Sequence, residues 1–278
     1  PTLPYSHFAR SLVTRTSTRR AAMADKSVTY TAALACDRAE LKTGIAHFGV
    51  GGFHRAHQQV YLDELLRAQF DTAKEWAYTG VGVLEWDVKM RDYLKNNNWQ
   101  YPVVSRTGPT PEDMAMHVQD VVSLRDMVLS FEDPAATVQL LALPAVRIVS
   151  LTITEFGYRV PLNDGDFKLV ALAFDGTLDG EVCGDDIDPA CRGATVFGLI
   201  LASLAVRFRS GLRPYTIMSC DNLPHNGEVA KKRVLGAAHN LPSELTLGDR
   251  GVDFVRWLEE EVKYPSTMVD RITPATSP

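Results

Sequence analysis

The apolar run Gly44 to Phe48 leads straight into Gly49-Val50-Gly51-Gly52, and the stretch behind that turn, Ala56 to Ala68, places Val60, Tyr61, Leu65 and Leu66 at helical spacing. A strand, a glycine-rich turn and a helix in immediate succession leave few folds open. The turn must be tight, since glycine reaches left-handed backbone angles without a steric penalty. The helix must then pack back on the sheet that its strand belongs to.

The same alternation continues along the chain. Trp76 to Val83 reads as a second strand closing in Gly80-Val81-Gly82, and Asp87 to Leu94 as a helical turn punctuated by Asn96-Asn97-Asn98. Val118 to Val122 is expected to be a strand, Pro134 to Leu143 a helix, and Arg147 to Ile153 an apolar strand. Asn163 to Asp188, charged and rich in Gly and Asp, reads as a hairpin or surface insertion. Then come a helix from Thr195 to Arg209 stopped by Gly211, a strand from Tyr215 to Met218 and the loop Ser219 to Asn226. A helix running to His239 and a last one from Val252 to Val262 complete the pattern. Strands alternating with helices of this length predict an α/β fold: a doubly wound, mostly parallel sheet of Rossmann type with insertions. Its crossovers are expected to be right-handed.

No repeat or low-complexity linker divides Leu41 to Pro278, so residues 41–278 read as one dinucleotide-binding domain and residues 1–40 as a leader and disordered N-terminal segment. Pro1 to Ala22 carries Arg10, Arg15, Arg19 and Arg20 and no acidic residue, a composition like that of a transit peptide. A start at Met23-Ala24-Asp25 is the competing reading, and cytoplasmic placement is the expectation, with mitochondrial targeting as the alternative. The net charge of −5 gives no attraction to nucleic acid or an anionic membrane, and neither is expected as a partner. The longest apolar run, Val196 to Val206, is broken by Ser203 and followed by Arg207 and Arg209, too short to span a bilayer. Cys36, Cys183, Cys191 and Cys220 form no CxxC pair and match neither a zinc knuckle nor a disulfide framework, so a reduced, intracellular chain is expected, with a Cys183–Cys191 bridge as the alternative. No metal is expected, and a monomer is the expected state.

Three segments carry candidate chemistry. A dinucleotide site needs a strand, a glycine turn and a helix N-terminus aimed at the pyrophosphate. Gly49 would make that turn and Gly51 would let the backbone approach the phosphates, with Val50, Gly52, Phe53, His54 and Arg55 completing the segment. His54 stands where the GxGxxG pattern calls for its third glycine. A purely structural turn is the competing reading, and Arg55, a cation at the helix start, favours the nucleotide.

At the end of the second strand an acidic residue would accept hydrogen bonds from ribose hydroxyls. Asp87 is the candidate, with Glu85 as rival and a helix N-cap as the plainer role. The third segment is the polar loop Ser219-Cys220-Asp221-Asn222-Leu223-Pro224-His225-Asn226-Gly227. Asn222 could hold a substrate oxygen that gains negative charge, or merely close an Asx-turn. Asn226 is expected to N-cap the following helix, and His225 to be a surface histidine. Tyr61 is followed by Leu65 and Tyr93 by Asn97, so no Tyr-xxx-Lys pair is present; neither is a GxSxG elbow.

Four stretches together resemble the polyol-specific long-chain dehydrogenases, the mannitol dehydrogenase family. They are His47 to Gln58, Ile148 to Glu155, Ser219 to Gly227 and Met268 to Pro274, in the family's order, with Tyr264 where the family usually has Phe. The resemblance accounts for the absent third glycine, since the family shares the GxGxFHRxH variant. It implies a metal-free, NAD-dependent enzyme that interconverts a polyol and a ketose, typically D-mannitol and D-fructose. Relatives acting on arabinitol, fructuronate or tagaturonate are alternatives, as is a non-catalytic nucleotide-binding module. It also implies that Asp87 binds the adenosine ribose, with Trp86 beside it where the family allows a second acid, and that Asn222 stabilises the substrate oxygen. The family's lysine general base, carried by a helical substrate domain, has no match in this sequence, and the 278 residues alone are expected to be inactive.

Overall fold

The computed structural model describes residues 28–110, 113–179, 182, 184–242, 249–269 and 273. Among them the chain forms the strands β1 (Val28–Thr31), β2 (Thr43–Phe48), β3 (Ala77–Gly82), β4 (Tyr101–Thr107), β5 (Ala115–Val121), β6 (Leu124–Leu129), β7 (Ile148–Leu151) and β8 (Thr216–Ser219). The main helices are α1 (Gln59–Ala68), α2 (Asp87–Asn96), α3 (Pro134–Ala142), α4 (Asp164–Asp175), α5 (Val196–Arg209), α6 (Asn226–His239) and α7 (Asp249–Glu260). The leader Pro1 to Ala22, Cys183, and Asp270, Arg271, Ile272 and Pro274 of the last family-like stretch lie outside the described residues.

Five strands make one parallel sheet in the order β6-β3-β2-β7-β8, the doubly wound Rossmann fold read from the alternation of elements. Every residue of β2 and β3 is buried, because helices cover both faces, and this is why these strands read as runs rather than as alternating patterns. On one face Leu62 and Leu66 of α1 and Leu94 of α2 pack with Leu124, Met127 and Leu129 of β6. On the other, α3 to α7 contribute Val138, Leu169, Phe197, Val234 and Phe254 to a larger cluster over Phe48, Val149 and Ile217. The strand order reverses between β2 and β7: the chain leaves β2 toward β3 and later returns on its other side as β7. Ligands of open α/β sheets bind in the crevice that opens beyond the strand ends at such a point.

Three expectations need correction. Val28–Thr31, within the residues 1–40 read as a leader and disordered segment, form β1 and pair with β5, and Arg38 donates to the Val122 carbonyl at 3.0 Å. The strand anticipated at Val118 to Val122 exists as β5, but it belongs to a separate sheet, antiparallel to β4 and parallel to β1. Neither β4 nor β6 was anticipated. The stretch from Asn163 to Asp188 is no hairpin: its first part is α4, which buries Leu169, Val170, Ala173 and Phe174. Asn163 and Asp166 form its N-terminal cap. The Asn163 side chain accepts from the Asp166 amide at 3.1 Å while Asp166 accepts from the Asn163 amide at 2.9 Å, and Gly176 ends the helix at φ +93°. No described helix is long and apolar enough to cross a membrane.

Candidate functional site

β2 delivers the chain to Gly49 at φ +93°, where a side chain would be strained, and a Cβ there would also run into the carbonyl oxygen of Thr152. The Gly51 amide then donates to the Gly49 carbonyl at 2.7 Å, and the Arg55 amide to the Gly51 carbonyl at 3.1 Å, so the helix starts at once. Its first full turn, His54–Gln58, is a π-turn that leads directly into α1. Gly51 differs from Gly49. Among the described residues a Cβ added to it would meet nothing nearer than 3.9 Å, so their packing does not call for glycine there. That open side faces solvent, as does Gly52.

Val50 is buried against β3, where a Cβ on Gly80 would lie 2.5 Å from it, which explains the glycine in Gly80-Val81-Gly82. His54 is also buried, its ring stacked 3.5 Å from that of His47. Val50 and His54 can therefore meet a ligand only through their backbone. Phe53 is half-buried and lies 4.9 Å from the His57 ring. Arg55 is half-buried and makes no ion pair among the described residues, and its Nε is buried without a hydrogen-bond partner.

Asp87 stands just beyond β3 at the start of α2. Its Oδ2 accepts from the amides of Val83 at 3.0 Å and Leu84 at 3.1 Å, closing the β3–α2 loop. Among the described residues Oδ1 has no partner. The carboxylate is thus fixed by one oxygen and free at the other. The N-cap position itself falls to Trp86, which is 68% exposed, and neighbouring Glu85 is exposed as well.

The third loop leaves β8 at the same rim of the sheet. Asn222 is exposed, and its side chain engages no described residue. Asp221 beside it is buried and accepts from the amides of Ile153 (3.2 Å) and Thr154 (2.8 Å) and from the Tyr158 hydroxyl (2.8 Å). Burial raises the Asp221 carboxyl above its ordinary range, and these donors partly offset the rise. The loop after β8 is thereby bound to the loop after β7, whose Thr154 sits at φ +60°. His225 is exposed, as expected of a surface histidine.

The capping role expected of Asn226 is not observed. Asn226 is wholly buried; its Nδ2 donates to the carbonyls of Asp221 and Thr267, both at 3.0 Å, and its Oδ1 accepts from the Thr267 amide at 2.9 Å. It pairs with Thr267 as a strand would, and Thr267 in turn donates to the Ser219 carbonyl at 2.7 Å. Asp221, Tyr158 and the Asn226–Thr267 pair escaped the sequence reading. The available signal was Gly227: a Cβ there would lie 2.5 Å from the Tyr264 carbonyl oxygen, the mark of a close backbone approach. Two contacts join the segments across the rim. Gln58 donates to Cys220 Sγ at 3.2 Å, and Thr273 Oγ1 lies 3.4 Å from His57 Nδ1. Among the described residues no group of three or more His, Cys, Asp or Glu is placed to hold a metal ion.

Residues 43–277 match the mannitol dehydrogenase Rossmann domain family. Mannitol 2-dehydrogenase of Cereibacter sphaeroides is 41% identical over 243 residues, 87% of this chain and 45% of that protein. The polyol:NADP oxidoreductase of Gluconobacter oxydans is 38% identical over 239 residues, 85% of this chain and 44% of that protein. Among solved structures, Pseudomonas fluorescens mannitol 2-dehydrogenase in ternary complex with NAD and D-mannitol aligns with a TM-score of 0.67 at 34% identity, over 91% of this chain and 46% of that one. The chain spans less than half the length of each of these relatives.

Proposed function

The chain belongs to the mannitol dehydrogenase family, and from that premise we propose that it forms the dinucleotide-binding part of an NAD-dependent polyol dehydrogenase, interconverting D-mannitol and D-fructose. The observation that carries this reading is the position of Gly51: an exposed glycine that no contact among the described residues requires, at the head of a helix and at the reversal of strand order.

The residues present fit a dinucleotide. The first amides of a helix have no acceptor within it, and those behind Gly51 and Gly52 suit a pyrophosphate. Arg55, a cation without an ion-pair partner among the described residues, suits the same charge. The free oxygen of Asp87 suits the ribose hydroxyls, and its charge opposes a 2′-phosphate. When bound, NAD supplies the hydride acceptor. Asn222, exposed and unengaged on a loop held rigid by Asp221, would donate its amide to the oxygen of the reacting polyol carbon. The proton-accepting base is assigned to no residue of this chain.

Beyond the reaction itself, we propose a monomer acting in the cytoplasm on a small polyol or ketose, with no nucleic-acid partner. The net charge of −5 supports the last point, since phosphate backbones would repel it. Sedimentation of the purified chain tests the monomer.

Titration with NADH and NADPH, followed by fluorescence, tests the cofactor. NADH is expected to bind the more tightly, and Asp87→Ala to reduce the preference by about 1.5–3 kcal/mol, the scale of a hydrogen bond to a charged group. Equal affinity of the unmodified chain for both would overturn the role given to Asp87. The presence of a relative named for NADP makes this comparison the discriminating one.

A further inference from the structure

His47 is a polar side chain in the middle of a buried strand, a placement that costs several kcal/mol unless both ring nitrogens are satisfied. Both are. Nδ1 lies 2.7 Å from Ser150 Oγ, directly across on β7, and Nε2 lies 3.0 Å from the Gly49 carbonyl and 2.9 Å from Thr152 Oγ1. A neutral imidazole has one donor and one acceptor nitrogen. The Gly49 carbonyl can only accept, so the proton sits on Nε2, and Nδ1 accepts from the Ser150 hydroxyl.

The Gly49 carbonyl is therefore gripped from three sides: by His47 Nε2–H, by the Thr152 hydroxyl at 2.8 Å and by the Gly51 amide at 2.7 Å. In a trans peptide the N–H points opposite to the C=O. Anchoring this carbonyl inward turns the Val50 amide away from His47 and sets the path of the chain into Gly51. The His54 ring lies on His47 with an interplanar angle of 8°, and His54 Nδ1 is 2.8 Å from Gln58 Oε1. A third glycine would let the helix close on the strand; here two stacked imidazoles fill that space.

We propose that His47 is a positioning residue of the dinucleotide site: through Nε2–H it fixes the Gly49 carbonyl, and with it the amides of the turn, for a ligand carrying a pyrophosphate. The inference rests on the dinucleotide reading above. It assigns His47 to the diphosphate portion of the ligand and not to the adenosine, which lies with Asp87 beyond β3.

Calorimetric titration of the chain with ADP-ribose and with adenosine separates the possibilities. His47→Gln keeps an N–H donor near the place of Nε2, and His47→Leu keeps bulk without a donor. His47→Leu is expected to weaken ADP-ribose roughly tenfold, the effect of about one hydrogen bond, and to leave adenosine unchanged. His47→Gln is expected to bind ADP-ribose nearly as the parent chain does. If His47→Leu does not fold, Thr152→Val, which removes another donor from the same carbonyl, carries the same expectation. ADP-ribose binding that ignores both substitutions would overturn the proposal, as would an equal loss for both ligands, the mark of a merely structural role. A parent chain that binds no ADP-ribose would overturn the dinucleotide reading and this inference with it.

Discussion

Gly49 and Gly51 sit two residues apart and answer to different demands. Gly49 combines a positive φ with a neighbour that leaves no room for a Cβ. Gly49→Ala should therefore destabilise the chain by roughly 1–3 kcal/mol, the cost of a strained backbone position, with the clash added. Gly51→Ala should leave stability within about 0.5 kcal/mol and instead weaken dinucleotide binding, because its methyl would enter the space given to the phosphates. Urea denaturation beside NADH titration of the two variants checks the contrast. A Gly51→Ala chain that binds NADH normally would remove Gly51 from the site. The buried histidines make a second prediction at this scale. Burial holds His47 to about 3 and His54 well below its ordinary value, whereas both titrate near 6.5 when unfolded. Their folded values are depressed, so the unfolded chain takes up protons first as the pH falls. Stability present above about pH 6.5 is lost on acidification, at about 1.4 kcal/mol per pH unit for each histidine. Asp166 and Asp221 act in the opposite direction at lower pH, since burial raises both carboxyls. Urea midpoints at about pH 7.5 and 5.5 should show the loss for the parent chain and a smaller loss for His47→Gln. An equal loss in the two would mean that His47 is not held neutral by the fold.

Among the elements, the cap of α4 offers the plainest test. Asn163→Ala should cost about 1 kcal/mol, since it removes one half of a reciprocal cap. An unchanged thermal midpoint would contradict that role. The same helix shows where sequence reasoning stops. Asn163, Asp164, Gly165 and Asp166 are the residues of a turn by composition, and what makes them a helix start is Asp166 bending back beneath Thr195 and Gly198, a contact between distant segments. β2 and α5 were readable because burial is nearly complete along each, and an apolar run needs no partner to announce itself; α3 was readable from its Pro134 start and the apolar spacing of Val138, Leu141 and Ala142. β4 was not: from Val103 onward its residues are half-buried or exposed, and it is held by pairing with β5 rather than by an apolar face. At the candidate site, the residues of the glycine turn and of the Asn222 loop could be read because strand-to-loop transitions carry polar and glycine signals. Asp221 and Asn226 could not, because each gains its role from a partner far along the chain, Tyr158 and Thr267 respectively.

For the molecule as a whole, one relation matters most: the ends of β2, β3, β7 and β8 open on one rim, and the three segments read as chemical all stand there. The glycine turn follows β2, Asp87 follows β3, and the Asn222 loop follows β8, tied to the loop after β7 through Asp221. Parallel strands with covered faces leave this rim as the natural place for a ligand, and the strand-order reversal between β2 and β7 marks its centre. Amide chemical shifts recorded for the isotope-labelled chain during addition of NADH test that placement most directly. The dinucleotide reading predicts shifts concentrated at Gly49 to Arg55, at Val83 to Asp87 and, more weakly, around Asn222. Shifts that are absent at saturating NADH, or that cluster on the β1-β5-β4 sheet instead, would contradict it.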